Sequence, residues 1–375
     1  MSDTRGDAAL YLGLISGTSA DAIDVALASF ESAPRVVASL AAPYPADLRR
    51  RVLALARDRA DVSLDEIGSL DTALGHAFAD AALALLDQAG IAPTRIRALG
   101  SHGQTVRHRP FDAAPYTMQI GDPNVIAERT GITTVGDFRR RDIAAGGQAA
   151  PLLPGFHAVI FAQPARTRVV LNLGGIANIT ILPGAANGAV LGYDTGPANC
   201  LLDAWAQRHR GTARDEGGAW ARTGTADAAL LAHLLREPYF AQEGPKSSGR
   251  EVFNVDWLDR HLAGTSLAPA DVQATLLELT ARSIAMAIRR DAADVAEVLA
   301  CGGGVHNGAL LEALASALAP VPVASTAQYG VDPDFVEATA FAWLAQRRLA
   351  HLPGNLPSVT GSRGDRVLGA IYFGS

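Results

Sequence analysis

Two apolar runs of the chain share one design. Residues 11–30, YLGLISGTSADAIDVALASF, and 167–182, TRVVLNLGGIANITIL, each set arms of Val, Ile and Leu around a short tip of small, hydroxyl or glycine residues. Such arms suit a pleated, largely buried sheet, and such a tip can bring backbone N–H groups to an anion. Each run therefore predicts a β-hairpin with a phosphate-facing tip. Two of them, far apart in sequence, predict two related lobes that share one nucleotide.

Between and after the hairpins the apolar spacing changes to three and four. It predicts helices over 46–58 and 63–89, the second with Ile67, Leu70, Leu74 and Phe78 on one stripe. A short strand over 96–100 runs into SHGQTVRHRP, read as a loop at a strand end, where open α/β sheets bind ligands. A turn at 121–123, a helix over 123–129, a strand over 133–135 and a long glycine-rich polar loop follow; loops of that kind inside compact domains are usually functional. A helix covering 157–161 closes the first lobe.

The second lobe opens with the second hairpin and continues through GYDTGPANCLLDAWAQRH, where Pro197 marks a helix start and Leu201, Leu202 and Trp205 share a face. Helices are expected over 226–235 and 271–290. EVLACGGGVHNGALLEALASAL then reads as a buried strand, a glycine turn and an amphipathic helix, an order that aims a helix N-terminus at whatever occupies the turn. A last helix over 335–348 carries Glu337 near its start, and VLGAIYFGS ends the chain as an edge strand. The division expected is an N-terminal lobe over 1–165 and a C-terminal lobe over 166–375, in an α/β class.

Composition narrows the partners. A length of 375 residues exceeds one ordinary core, and a net charge of −6 leaves no broad basic surface for nucleic acid or an anionic membrane. The two cysteines, Cys200 and Cys301, form neither a disulfide framework nor a four-thiolate zinc site and suit a reducing compartment. No apolar run is long enough to span a bilayer, and MSDTRGD lacks the order of a signal peptide, so a cytoplasmic location is expected. Of the 32 basic residues only Lys246 is lysine, in PKSSGRE. Either chance or a need for a compact ammonium keeps it there.

Candidate chemistry gathers at the turns. In SGTSADAID, Gly17 permits a tight turn, Thr18 and Ser19 add hydroxyl donors, and Asp21 and Asp24 could hold Mg²⁺ through water, although an ordinary capped turn uses the same residues. NLGGIAN offers Gly174 and Gly175 for close approach of main chain to phosphate. In CGGGVHN, Gly302, Gly303 and Gly304 admit either a flat adenine ring or phosphate against bare backbone, or close helix packing. Asp194, between Gly192 and Gly196, is the best general-base candidate, able to orient and deprotonate a nucleophile; an Asx-turn aspartate is the plainer reading. His102, Gln104, His108, Asp137 and Arg139 to Asp142 crowd two loops and could hydrogen-bond a polyhydroxylated ligand and its carboxylate.

Taken in order, SGTSADAID, SHGQTVRHRP, MQIGDPNVIAERTGI, VGDFRRRDIAAGGQAAPLLP, NLGGIANIT, GYDTGPANCLLDAW, DEGG, PKSSGREVFN, CGGGVHN and EATAFAWLA resemble the anhydro-N-acetylmuramic acid kinases of the sugar kinase, Hsp70 and actin superfamily. The resemblance implies a two-lobed actin-like, ribonuclease H-like fold with its nucleotide cleft between the lobes. It also implies a homodimer and an ATP- and Mg²⁺-dependent reaction in peptidoglycan recycling. That reaction opens the 1,6-anhydro ring and phosphorylates O6, giving N-acetylmuramic acid 6-phosphate. Asp194 matches the family's catalytic aspartate and would activate water; residues 17–24 match its phosphate loop; Glu337 is a second carboxylate near the sugar. His102, Gln104, Asp137 and Arg139 are the residues expected at the amino sugar. The chain departs from the family pattern at Ile15, where methionine is usual, and at Ala22, Ala149 and Ala198, where glycine is usual. An alanine costs about 1 kcal/mol wherever φ must be positive. A kinase for another amino sugar and a noncatalytic nucleotide-dependent interaction protein are the competing readings.

Overall fold

A computed structural model describes residues 8–17, 20–31, 34–56, 61–184, 188–244, 246–249 and 252–375. Its strands, in chain order, are β1 (Leu10–Ile15), β2 (Ala22–Ser29), β3 (Arg35–Pro43), β4 (Ile96–Ser101), β5 (Gln104–Arg109), β6 (Tyr116–Ile120), β7 (Thr134–Gly136), β8 (Thr167–Leu173), β9 (Ile176–Leu182), β10 (Leu191–Pro197), β11 (Val295–Cys301), β12 (Val323–Ser325) and β13 (Ala370–Tyr372). The helices are α1 (Ala46–Ala56), α2 (Leu64–Ala89), α3 (Pro123–Thr130), α4 (Arg140–Ala144), α5 (Leu153–Phe161), α6 (Asn199–Arg210), α7 (Ala228–Leu234), α8 (Pro238–Ala241), α9 (Val255–Leu262), α10 (Pro269–Asp291), α11 (Gly308–Leu318), α12 (Val336–Leu349) and α13 (Pro357–Thr360).

Two compact units result, Met1–Phe156 with Gly330–Ser375, and His157–Tyr329. Each is built on one sheet, and the two sheets repeat a topology. The first runs β13-β7-β4-β1-β2-β3, with β1–β2 and β2–β3 antiparallel and β1–β4 and β4–β7 parallel. The second runs β10-β9-β8-β11-β12, with β8–β9 and β9–β10 antiparallel and β8–β11 and β11–β12 parallel. Thus β8, β9, β10, β11 and β12 stand where β1, β2, β3, β4 and β7 stand. The two related lobes and the mixed α/β class expected from the hairpins and the resemblance are what the chain forms.

Local rules account for most elements. All seven residues of β8 are buried, Thr167, Arg168 and Asn172 among them, as are five of the six in β1. Ser63 caps α2 by accepting from Glu66 N at 3.1 Å, and Gly90, with φ of 65°, ends it. Pro123 opens α3 behind the capping Asp122.

The expected lobe boundary is corrected. Residues 330–375 belong to the first unit, not the second, because α12 crosses β1, β2 and β4 and β13 extends that sheet at β7. The approach is too close for side chains: a Cβ on Gly13 would lie 1.9 Å from Ala338 O, and one on Gly100 would lie 2.1 Å from Phe341 O. Two other segments also differ from expectation. SHGQTVRHRP is not simply a loop, since Gln104–Arg109 pairs antiparallel with Tyr116–Ile120 as a small separate sheet. Residues 191–197 form a strand rather than a turn, antiparallel to β9, with a register shift between Asp194 and Gly196. Among the described residues no helix is long and apolar enough to cross a membrane.

Candidate active site

In the first unit the turn after β1 is fixed by side chains from neighbouring elements. Gln104, at the start of β5 and 1% exposed, donates through Nε2 to Gly17 O at 3.2 Å, while its Oε1 accepts from Tyr44 Oη at 3.4 Å. Ala20, with φ of 48°, donates its N–H back to Gly17 O at 3.0 Å. Gly17 is exposed, and a Cβ there would meet nothing within 4 Å. Thr18 and Ser19, also expected at this turn, lie outside the described residues.

Asp21 and Asp24, expected to share Mg²⁺, are not brought together. Asp21 pairs with Arg49 of α1, Nη2 to Oδ1 at 2.6 Å, and its side chain is 66% exposed. Asp24 lies within β2, beside Glu337 and Asp334 at the start of α12. Burial first, then the Glu337 and Asp334 charges, raise the Asp24 carboxyl to about 7. Asp21 precedes β2 and is engaged by Arg49, whereas Asp24 lies within the strand near Glu337 and Asp334. Among the described residues no group of three or more His, Cys, Asp and Glu side chains is arranged to hold a metal ion. Asp334, which the sequence reading did not single out, is the further member of the carboxylate group.

His102 and Arg139 meet each other. Arg139 Nε donates to His102 Nε2 at 2.8 Å, so that ring nitrogen carries no proton, and burial followed by the Arg139 charge holds the imidazole well below its usual pKa. Arg139 also donates through Nη1 to Ala149 O, and burial lowers its pKa to about 10. Ala149 has φ of 56°, the left-handed region in which an alanine is strained; Ala22 lies in an extended strand and Ala198 has φ of −112°. Of the three alanines, Ala149 is the one with a positive φ.

Asp142, grouped with the ligand-facing polar residues, is instead fully buried. It accepts from Ala149 N at 2.8 Å, Asn355 Nδ2 at 2.8 Å and Thr360 Oγ1 at 2.9 Å, and so ties the glycine-rich loop to residues 355–360. Asp137, with φ of 55° and 3.5 Å from Arg140, lines a pocket of about 860 Å³ with Arg141, Tyr116, Arg348 and His351. His102, Gln104 and Arg139 do not line that pocket.

The second unit repeats the turn with other means. The Gly174 carbonyl accepts from Asn199 N at 3.1 Å and Asn199 Nδ2 at 2.8 Å; the Gly175 carbonyl accepts from Ala198 N and Cys200 N, both at 3.0 Å. The start of α6 thus holds the tip by its carbonyls. After β11, Gly302 has φ of 80°, and a Cβ there would lie 2.2 Å from Asn172 Oδ1; one on Gly304 would lie 2.6 Å from Leu173 Cβ. Close packing explains these two. Gly303 differs, being exposed with open space around its Cα, and it lines a pocket of about 140 Å³ with Asn199, Asp203, Arg214, Glu216 and His306.

Asp194 stands at the β10 bulge, a feature that re-aims side chains. Its Oδ2 accepts from Ser248 N at 3.0 Å and Ser247 Oγ at 3.2 Å, and its main chain is bonded on both sides: N–H to Lys246 O at 3.1 Å, carbonyl from Tyr239 Oη at 2.7 Å. The carboxylate is partly exposed, and these two donors set its direction. Ser247, Ser248 and Tyr239 went unrecognised in the sequence, where the adjacent serines of PKSSGRE were the available signal.

The family model for anhydro-N-acetylmuramic acid kinase matches residues 9–374. The chain is 53% identical over 373 residues to an anhydro-N-acetylmuramic acid kinase of Xanthomonas campestris pv. campestris, covering 98% of each protein. To one of Coxiella burnetii it is 48% identical over 364 residues, covering 97% of each. A solved structure from Clostridium difficile, the activator of 2-hydroxyisocaproyl-CoA dehydratase with bound ADPNP, aligns with 91% of this chain and 96% of its own at 14% identity and a TM-score of 0.45. With a carboxylate oriented at the β10 bulge and relatives matched from end to end, the chain belongs to the anhydro-N-acetylmuramic acid kinase family.

Proposed function

We propose that this protein hydrolyses the 1,6-anhydro bond of anhydro-N-acetylmuramic acid and phosphorylates O6 with ATP, giving N-acetylmuramic acid 6-phosphate and ADP in the cytoplasm during peptidoglycan recycling. The oriented carboxylate of Asp194 is the observation that carries the mechanism. It takes a proton from water as the water oxygen bonds to the anomeric carbon; the bond from that carbon to O6 breaks, and O6 accepts the γ-phosphoryl group. Asp194 thus acts as general base in the hydrolytic step, and the O6 it sets free is the nucleophile toward the γ-phosphorus.

The two turns, at Gly17 and at Gly174 and Gly175, face the phosphates in this reading, and the exposed Gly303 with its pocket takes the adenosine. Mg²⁺ supplies charge neutralisation when it enters with the phosphates. The fit to this chain is partial: Asp24 offers an oxygen donor beside Glu337, reached through water, whereas Asp21 is engaged by Arg49. Glu337 lies on the sugar side with Asp137 and Arg139. His102 and Gln104 act by bracing Arg139 and the first turn. The protein works as a homodimer, a mass that sedimentation equilibrium reads directly.

The direct test is ADP release with anhydro-N-acetylmuramic acid as acceptor, alongside free N-acetylglucosamine. Turnover of the anhydro sugar alone is expected; turnover of N-acetylglucosamine alone would assign the protein to another amino sugar. Asp194→Asn should lower kcat by about 10³-fold while ATP binding persists.

A further inference from the structure

The lone lysine of the chain closes a ring of contacts around Asp194. Lys246 O accepts from Asp194 N at 3.1 Å; Lys246 Nζ donates to Tyr239 O at 2.7 Å and lies 4.4 Å above the Tyr239 ring; Tyr239 Oη donates to Asp194 O at 2.7 Å. The next two residues, Ser247 and Ser248, are the ones that hold the Asp194 carboxylate. On the other side of Lys246, Gly244 packs so tightly on Tyr193 that a Cβ would meet its ring at 2.5 Å. The segment 246–249 is thus pinned at Lys246 and applied to Asp194 immediately beyond.

We propose that Lys246 is a positioning residue for Asp194: its ammonium, seated between the Tyr239 carbonyl and ring, fixes the segment whose Ser247 hydroxyl and Ser248 amide set the direction of the Asp194 carboxylate. The inference rests on the assignment of Asp194 as the base. A compact ammonium suits the seat, because it can donate to a carbonyl and cover a ring face from one point, whereas a guanidinium spreads its donors over a planar fork.

The charged and titratable groups facing this ammonium are Arg290 and Asp291 at the end of α10, Tyr193 on β10 and Tyr239 on α8. Burial, with help from Arg290 and against Asp291, lowers the Lys246 pKa to about 8. Tyr193 and Tyr239 are pushed above their usual range by burial, so neither titrates alongside it. The ammonium is therefore charged below pH 8 and lost above it, which gives the positioning role a pH signature that packing alone would not have.

The experiment measures kcat and KM from pH 6.5 to 9.5 with ATP and anhydro-N-acetylmuramic acid, for the wild type and the variants Lys246→Met, Lys246→Arg, Tyr239→Phe and Asp194→Asn. Wild-type kcat should fall above about pH 8. Lys246→Met should lose about 30-fold in kcat across the whole range with KM for ATP changed less than about twofold, the cost of a misdirected catalytic group. Lys246→Arg, charged throughout, should recover part of that loss and show no alkaline limb. Tyr239→Phe, which removes only the hydroxyl on Asp194 O, should lose about fivefold. Wild-type kcat in Lys246→Met, or an unchanged alkaline limb in Lys246→Arg, overturns the proposal. If Lys246→Met does not fold, Lys246→Arg and Tyr239→Phe decide by the same readouts. Activity retained in Asp194→Asn would instead remove the base assignment, a separate failure.

Discussion

The turn after β1 and the turn after β8 occupy equivalent places in two sheets of the same topology, yet they are anchored differently. Side chains that come from afar in sequence hold the first: Gln104 grips Gly17 O, and Arg49 Nε reaches Ala20 O at 3.1 Å. Backbone holds most of the second, with the first amides of α6 donating to the Gly174 and Gly175 carbonyls. The same division recurs after the next strand of each sheet. Beyond β4 comes a buried histidine braced by an arginine; beyond β11 comes bare glycine packed on Asn172 and Leu173. One topology thus carries a side-chain-built turn in one unit and a backbone-built turn in the other, and only the first can be retuned by changing side chains alone.

Substitutions at the glycines break this comparison most sharply. Gly13→Ala puts its Cβ against the Ala338 carbonyl, a main-chain atom that cannot step aside, and should cost about 3 kcal/mol or more by thermal unfolding. Gly302→Ala meets an amide side chain that can turn away, but it also carries a positive φ, and should cost about 1–2 kcal/mol. The anchors come next. Asn199→Ala removes the side-chain donor to the Leu173 and Gly174 carbonyls, the second of which keeps Asn199 N, and should destabilise by about 1–2 kcal/mol, against about 1 kcal/mol for Gln104→Ala, whose bonds are longer. Both changes should raise the KM for ATP; an effect from only one of them would show that a single turn meets the phosphates.

Asp24 belongs to the unit with the side-chain-built turn and offers a test by pH. Its carboxyl is raised to about 7 in the folded chain by burial and by Glu337 and Asp334, so the folded state holds that proton more tightly than the unfolded one. Stability from this group is present below about pH 4 and is lost as pH rises through 7. Asp24→Asn should therefore match the wild type in thermal midpoint at pH 4 and exceed it at pH 7.5. The smallest effect concerns Ala149→Gly, which relieves a φ of 56° and should stabilise by up to about 1 kcal/mol.

The sequence made legible whatever local pattern controls. The largely apolar arms of β1, β2, β8 and β9 marked both hairpins, and Ser63, Gly90, Asp122 and Pro123 mark helix ends within a residue or two. Harder to read were elements whose cause is remote. Gln104–Arg109 carries arginine and histidine on arms that pair only with β6, so its strand character left no apolar trace. The membership of α12 in the first unit depends on glycines more than 230 positions away, at Gly13 and Gly100. The grip of Ser247, Ser248 and Lys246 on Asp194 spans about fifty residues, and no periodicity links those positions.

The order of the units along the chain has a consequence for biosynthesis. Because His157–Tyr329 is inserted within the first unit, a ribosome delivers all of the second unit before it delivers α12. Until then the face of the first sheet that carries Gly13 and Gly100 has no cover, and its closing contacts are among those of greatest sequence separation, the kind that form late. The inserted unit, whose strands and helices are contiguous, is free to fold during translation, while its host waits for the final residues. The nascent protein should pass through a stage in which one half is already native and the other is a sheet awaiting its last helix.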